Sequence, residues 1–87
     1  MELEWDEVKR HANMAKHGLD FADVSILEWD TATVLEDTRR IYPEPRFWAF
    51  AMRGRRLHVV TFCVRGPKVR VISFRKANDR ETRRYGP

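Results

Sequence analysis

The sequence predicts an α+β fold: a small, mostly antiparallel sheet, with a helical hairpin before it and a short helix after it. Three observations predict this. The chain has 87 residues, the length of one domain with one core, residues 1–87. Apolar residues recur at helical spacing as far as Leu27, and from Thr33 the period switches to two. Turn signals at Gly54 and Gly66 join consecutive strands, which makes them antiparallel neighbours. The expected order is β-α-α-β-β-β-β-α.

Leu3 and Trp5 alternate with Glu2 and Glu4 as a short first strand. Asp6 caps a helix from Glu7 to His17, with Val8, Ala12 and Ala15 on one face and Gly18 at the left-handed C′ position. Asp20 caps a second helix carrying Phe21, Val24 and Leu27, with Asp23 suiting its first turn. Thr33 to Glu36 reads as a strand, and Asp37 to Pro45, with Pro43 and Pro45, as a loop. Arg46 to Arg53 is a strand with Phe47, Ala49 and Ala51 on one side and Trp48, Phe50 and Met52 on the other. Arg56 to Arg65 is the longest strand, and Lys68 to Arg75 the last. Asn78 and Glu81 form a capping box that opens a C-terminal helix, ended by Gly86-Pro87. The later strands are apolar on both sides, so both faces need cover. The hairpin covers one. The short, charged C-terminal helix covers the other poorly, which leaves either a partner surface or closure by Trp29, Trp48 and their neighbours.

Composition narrows the class. At 43% hydrophobic and 11% aromatic, the chain is globular. The single cysteine, Cys63, excludes an internal disulfide and any zinc site needing two cysteine ligands from this chain. A lone thiol and an acidic start without an apolar leader suit a reducing cytoplasm, and no apolar run approaches the roughly 18 residues that span a bilayer. Charge is divided unevenly. Residues 1–37 hold three basic and ten acidic residues, and residues 38–87 hold fourteen basic and three acidic ones, Glu44, Asp79 and Glu81. A basic half points to a polyanionic partner. It does not separate DNA from RNA, or binding from cleavage, and the two halves also compensate one another.

The densest constellation is Arg70, Ser73, Arg75, Lys76, Asn78, Arg80, Glu81, Arg83, Arg84 and Tyr85. Strand alternation groups Val69, Val71, Ser73 and Arg75 on one face, and Arg75 emerges where the helix begins. Within that helix region Ala77, Glu81 and Tyr85 stack at spacing four, flanked by Arg80, Arg83 and Arg84. The product is a cationic cup holding one carboxylate and one phenol. Cleaving RNA without a metal needs that equipment: a group to take the 2′-hydroxyl proton, cations for the phosphorane, and an acid for the leaving 5′-oxygen. A two-metal nuclease needs several convergent carboxylates, which the basic half lacks, and no DxD, HExxH, P-loop or GxGxxG motif is present. No metal or cofactor is therefore expected. Each residue also has a plainer role. Glu81 caps the helix, Tyr85 packs on the sheet, Arg83 and Arg84 steer phosphate, His58 is a satisfied sheet residue, and His17 and His11 belong to the first helix. Arg75 fits a plain role least, because no acid balances it. A nucleic-acid-binding module without catalysis, or an interaction subunit docking an acidic protein, are the other functional classes.

Trp5-Asp6, Asn13, Lys16-His17-Gly18, Phe21, Arg46-Phe47, Leu57 to Phe62, Arg65-Gly66, and Val69 to Ala77 with Glu81 and Tyr85 together resemble BrnT toxins. The resemblance implies a RelE-like ribonuclease of a type II toxin–antitoxin system that blocks translation by cleaving RNA. It implies a BrnA antitoxin with a ribbon-helix-helix domain, a hetero-oligomer with that antitoxin, and operator DNA met only through it. Carried over by position, Arg75 and Tyr85 are the leading active-site residues, with Arg80 and Glu81 behind them. Arg65 and Lys76 would support phosphate binding, and Arg70, Arg83 and Arg84 join them as the RNA-binding set. The sequence departs from the family pattern at Pro45 and at Phe74, where a small residue is usual and where added bulk is expected beside the site.

Overall fold

A strand that leaves the sheet for two helical segments must find its partner far away in sequence. In the computed structural model, which describes residues 1–87, that strand is β1 (Glu2–Glu4). It is followed by α1 (Glu7–His17), a 3₁₀ helix (Phe21–Ile26), β2 (Glu28–Glu36), β3 (Phe47–Arg53), β4 (Arg56–Arg65), β5 (Lys68–Lys76) and α2 (Asp79–Tyr85). The sheet order is β1-β5-β4-β3-β2. Strands β2 to β5 form an antiparallel meander, and β1 pairs parallel with β5, Leu3 opposite Val69. The sheet is therefore mixed: β2 takes the far edge, which leaves β1 the β5 edge. No helix is long and apolar enough to cross a membrane.

Asp6 caps α1 through the amides of Val8 and Lys9, and Gly18 closes it at φ 70°. Its docking face is not the expected one. Val8 is 78% exposed, Ala12 and Ala15 also face solvent, and the buried residue is Asn13. Asn13 behaves as a surrogate strand. Its Nδ2 donates to the Phe74 carbonyl at 2.8 Å, and its Oδ1 accepts from the Phe74 amide at 3.1 Å. Strand β1 pairs with β5 only as far as Arg70, so the outward backbone groups of Phe74 would otherwise be buried without partners. A second Asn13 donation, to the Leu19 carbonyl, holds the chain as it leaves the helix.

The second helical segment is a six-residue 3₁₀ helix rather than a full α-helix. Phe21, Val24 and Leu27 are all buried, and their uniform spacing of three is the 3₁₀ repeat, which eclipses side chains three apart. Strand β2 begins earlier than expected, at Glu28, and reaches its regular pairing only at Thr33 after a register shift. Trp29, in the irregular part, donates from Nε1 to the Val24 carbonyl and meets Phe62 edge-on.

The sheet has two apolar faces. Phe21, Val24, Leu27, Ala49, Ala51, Val60, Phe62, Val71 and Phe74 form the larger core on the helical side. Phe50, Leu57, Val59 and Ala77 form the smaller one, with Trp48, Met52 and Tyr85 packed against it. The alternation predicted for β3 therefore holds on both sides. The amide of Ala77 donates to the Leu57 carbonyl, and Arg56 Nη2 donates to the Ala77 carbonyl. These bonds fold α2 back across β4 and onto Phe50. That leaves the part of this face around Trp48 and Thr61 uncovered, and there a cleft opens.

Candidate active site

The cleft encloses about 560 Å³ and is lined by Arg39, Trp48, Phe50, Val59, Thr61, Arg75, Arg80, Glu81, Arg84 and Tyr85. Its key side chain is aimed by a β-bulge. Thr61 of β4 faces Ser73 of β5, whereas the next residue, Phe62, faces Val71, so Ile72 is extra. Val71 and Phe74 consequently both enter the helical-side core, although they are three residues apart. Arg75, opposite Val59, comes out on the other face. The expected grouping of Val69, Val71, Ser73 and Arg75 on one face is thus overturned. Phe74 is fully buried away from the cleft, so the bulk expected beside the site is spent in the core.

Arg75 forks onto Glu81. Nη1 donates to Oε1 and Nη2 to Oε2, both at 2.8 Å. Glu81 simultaneously completes the α2 capping box. Its Oε1 accepts from the Asn78 amide at 2.9 Å, and its own amide donates to Asn78 Oδ1 at 2.8 Å. The Arg75 hydrogen bonds pull the Glu81 carboxyl below its ordinary pKa, against the upward push of burial, and the same contact holds Arg75 protonated. Arg75 therefore does have its balancing acid, supplied six residues on across the strand–helix junction.

Tyr85 lies flat on Phe50, with ring centroids 4.0 Å apart and planes 22° from parallel. Arg84 Nε donates to the Tyr85 hydroxyl oxygen at 3.2 Å, which leaves the hydroxyl proton free to be given elsewhere. Arg80 and Arg84 are exposed in the last element, and neither is paired with a carboxylate.

The other basic residues singled out in the sequence lie elsewhere. Arg65 and Arg70 line a second, smaller hollow with Lys9, Arg46 and Cys63. There Arg65 is tied to Glu44, Nη2 to Oε1 at 2.6 Å, and Arg70 lies 3.9 Å from Glu4. Lys76 and Arg83 line neither hollow. No histidine reaches the cleft. His58 is buried on the helical side with Nδ1 2.9 Å from the Arg56 carbonyl oxygen, and burial lowers its pKa. His17 is half-buried and shifted the same way, first by burial and then by Lys16 and Arg75.

Sequence reasoning missed Arg39 as a lining residue. Its guanidinium lies 4.5 Å above the Trp48 ring. Asp37 holds it there, accepting from Nε at 3.0 Å and from Nη2 at 3.1 Å. Asp37 is buried and also accepts from the Arg39 amide and the Tyr42 hydroxyl. The Arg39 hydrogen bonds bring its pKa down to about 2. The available signal was the Asp37-Thr38-Arg39 turn itself, since Asp accepts readily from a backbone amide two residues on.

A comparison with curated proteins finds no match. A protein-family model described as the ribonuclease toxin BrnT of type II toxin–antitoxin systems matches residues 5–81, a span that contains Arg39, Trp48, Arg75, Arg80 and Glu81 and stops short of Arg84 and Tyr85. The chain therefore belongs to the BrnT family of ribonuclease toxins, for which RNA is the substrate and a protein antitoxin the partner.

Proposed function

We propose that this chain is a metal-independent endoribonuclease of RelE-like fold that inhibits translation and is neutralised by a BrnA-like ribbon-helix-helix antitoxin. One observation carries the chemical part. The only carboxylate in the cleft is committed to Arg75 and Asn78, while Arg80 and Arg84 face the same space unpaired. Three of the four guanidinium groups that line this volume, those of Arg75, Arg80 and Arg84, suit a phosphate that gains charge as it reacts. The donor set gives a metal little to hold, since no three His, Cys, Asp or Glu side chains converge anywhere in the chain.

In this reading the RNA 2′-oxygen loses its proton and bonds to the adjacent phosphorus. The bond from phosphorus to the 5′-oxygen breaks, and that oxygen takes up a proton. Arg75, held by Glu81, and the exposed Arg80 and Arg84 donate to the non-bridging oxygens. Tyr85 gives its hydroxyl proton to the departing 5′-oxygen, solvent water carries away the 2′-hydroxyl proton and returns one to Tyr85, and Glu81 positions Arg75. The products are a 2′,3′-cyclic phosphate and a 5′-hydroxyl. Purified toxin incubated with RNA in EDTA should retain its activity and leave cyclic phosphate ends. Arg75→Ala should lose at least about 10²-fold in rate with unchanged circular dichroism. Activity abolished by the chelator removes the mechanism, and a fully active Arg75→Ala variant moves the site elsewhere.

A further inference from the structure

We propose that Arg39, stacked on Trp48, is the platform for a nucleobase adjoining the scissile phosphate. The inference deepens the ribonuclease reading above and rests on it. Arg39 is 68% exposed, yet it is held by four contacts to two residues rather than left to sample rotamers. Asp37 takes two of its side-chain donors and its backbone amide, and the indole of Trp48 takes one plane of its guanidinium. An exposed arginine ordinarily gives up such a pose to side-chain entropy. Here the anchor is itself fixed, because Asp37 is buried, accepts from Tyr42, and donates its own amide to the Arg46 carbonyl.

What remains free is the outer plane of the guanidinium. Its charge is offset by Asp37, so Arg39 is a weaker phosphate ligand than Arg80 or Arg84, which have no acid beside them. A flat, delocalised, weakly hydrated cation backed by an aromatic ring is the surface on which unpaired bases stack. Position agrees. Trp48 stands two residues from Phe50 on the same face of β3, about 6.5 Å away, and Phe50 lies under Tyr85. Phosphate is then taken on the helix side of the cleft and the neighbouring base on the Arg39 side.

The test uses a 2′-fluoro RNA hexamer, which cannot be cleaved by 2′-attack, with 2-aminopurine placed at each position in turn. On binding the wild-type chain, fluorescence should be quenched at one position. Arg39→Lys keeps the charge beside Asp37 but removes the plane. It should abolish that quenching and weaken binding about tenfold, within the range for losing one stacked base. An abasic nucleotide at the quenched position should weaken wild-type binding by a similar factor, and Arg39→Lys should then add no further loss. Arg39→Gln provides a second variant should the first misfold. Absence of quenching at every position overturns the platform. So does lysine restoring full affinity, or an equal loss on abasic RNA, either of which would make Arg39 only a pin for its loop. Cleavage of ordinary RNA in EDTA is scored separately, so failure of the ribonuclease reading and failure of the platform are told apart.

Discussion

Glutamine at position 81 separates the two tasks of that carboxylate. A glutamine at the third helical position completes a capping box as a glutamate does, so Glu81→Gln keeps the bond from the Asn78 amide. What it removes is the charge beneath Arg75. The side chains of Arg75 and Glu81 are 35% and 18% exposed, between the surface and buried regimes. Exposed pairs contribute about 0–1 kcal/mol and hydrogen bonds to charged groups about 1.5–3 kcal/mol, so the loss should be about 1–2 kcal/mol. For a chain of this length that lowers Tm by roughly 5–15 °C near neutral pH. The pH dependence follows from the depressed Glu81 pKa. The pair's contribution is fully present above the ordinary carboxyl value of 4.5 and disappears as pH falls through the lower folded value. Melting curves of wild type and variant should therefore converge in acid. Activity should fall by up to about 10²-fold as Arg75 loses its restraint, with the pH–rate profile keeping its shape, because a carboxylate held ionised does not titrate near neutrality. A Tm gap that stays constant down to pH 2 would refute the ion pair, and a missing limb of the pH–rate profile would make Glu81 a proton-transfer group.

Tyr85→Phe keeps the ring on Phe50, so melting should hardly move, while cleavage should slow by about 10²–10⁴-fold; an unchanged rate removes the hydroxyl from the chemistry. Asn13→Ala orphans the Phe74 amide and carbonyl, which should cost about 1–3 kcal/mol in denaturant titration and speed hydrogen exchange at Phe74; unaltered exchange there would contradict the surrogate-strand role. Deleting Ile72 removes the extra residue and gives simple alternation, with Val71 and Phe74 still facing the core and Arg75 still opposite Val59 on the cleft face, so most of the stability and cleavage should be kept; a folded deletion variant without cleavage would show that the bulge does more than set the face of Arg75.

Much of the fold was legible in the sequence, for local reasons. Caps at Asp6, Asp20 and Asn78 announce helical starts because a short polar side chain meets the free amides of a first turn. The two-sided character of β3 was legible because both faces of that strand pack against apolar neighbours. The parallel pairing of β1 was not, since nothing in Glu2 to Glu4 encodes a partner some sixty residues away. The docking face of α1 is not legible either, because hydrophobic pattern ranks Val8 and Ala12 above Asn13. The decisive contact is instead a pair of hydrogen bonds to a backbone that burial leaves needing partners.

The same limit holds at the site. Arg75, Arg80, Glu81, Arg84 and Tyr85 fall within eleven residues, so composition alone made them conspicuous, and the cleft does gather them. Which face Arg75 takes depends on a single extra residue. Ile72 is as apolar and β-branched as its valine neighbours, and no side-chain signal distinguishes a bulge from continuous strand there. The bulge is resolved only by competition in three dimensions. Without it, Arg75 would turn to the helical-side face opposite His58, away from Glu81, and a charge buried there without its acid costs several kcal/mol. With it, Phe74 fills the core, Asn13 satisfies its backbone, and Arg75 meets Glu81 at the start of α2. The lone cation that looked uncomfortable in the sequence is thus the residue whose burial cost selects the register, and the register that relieves it is the one that opens toward the cleft.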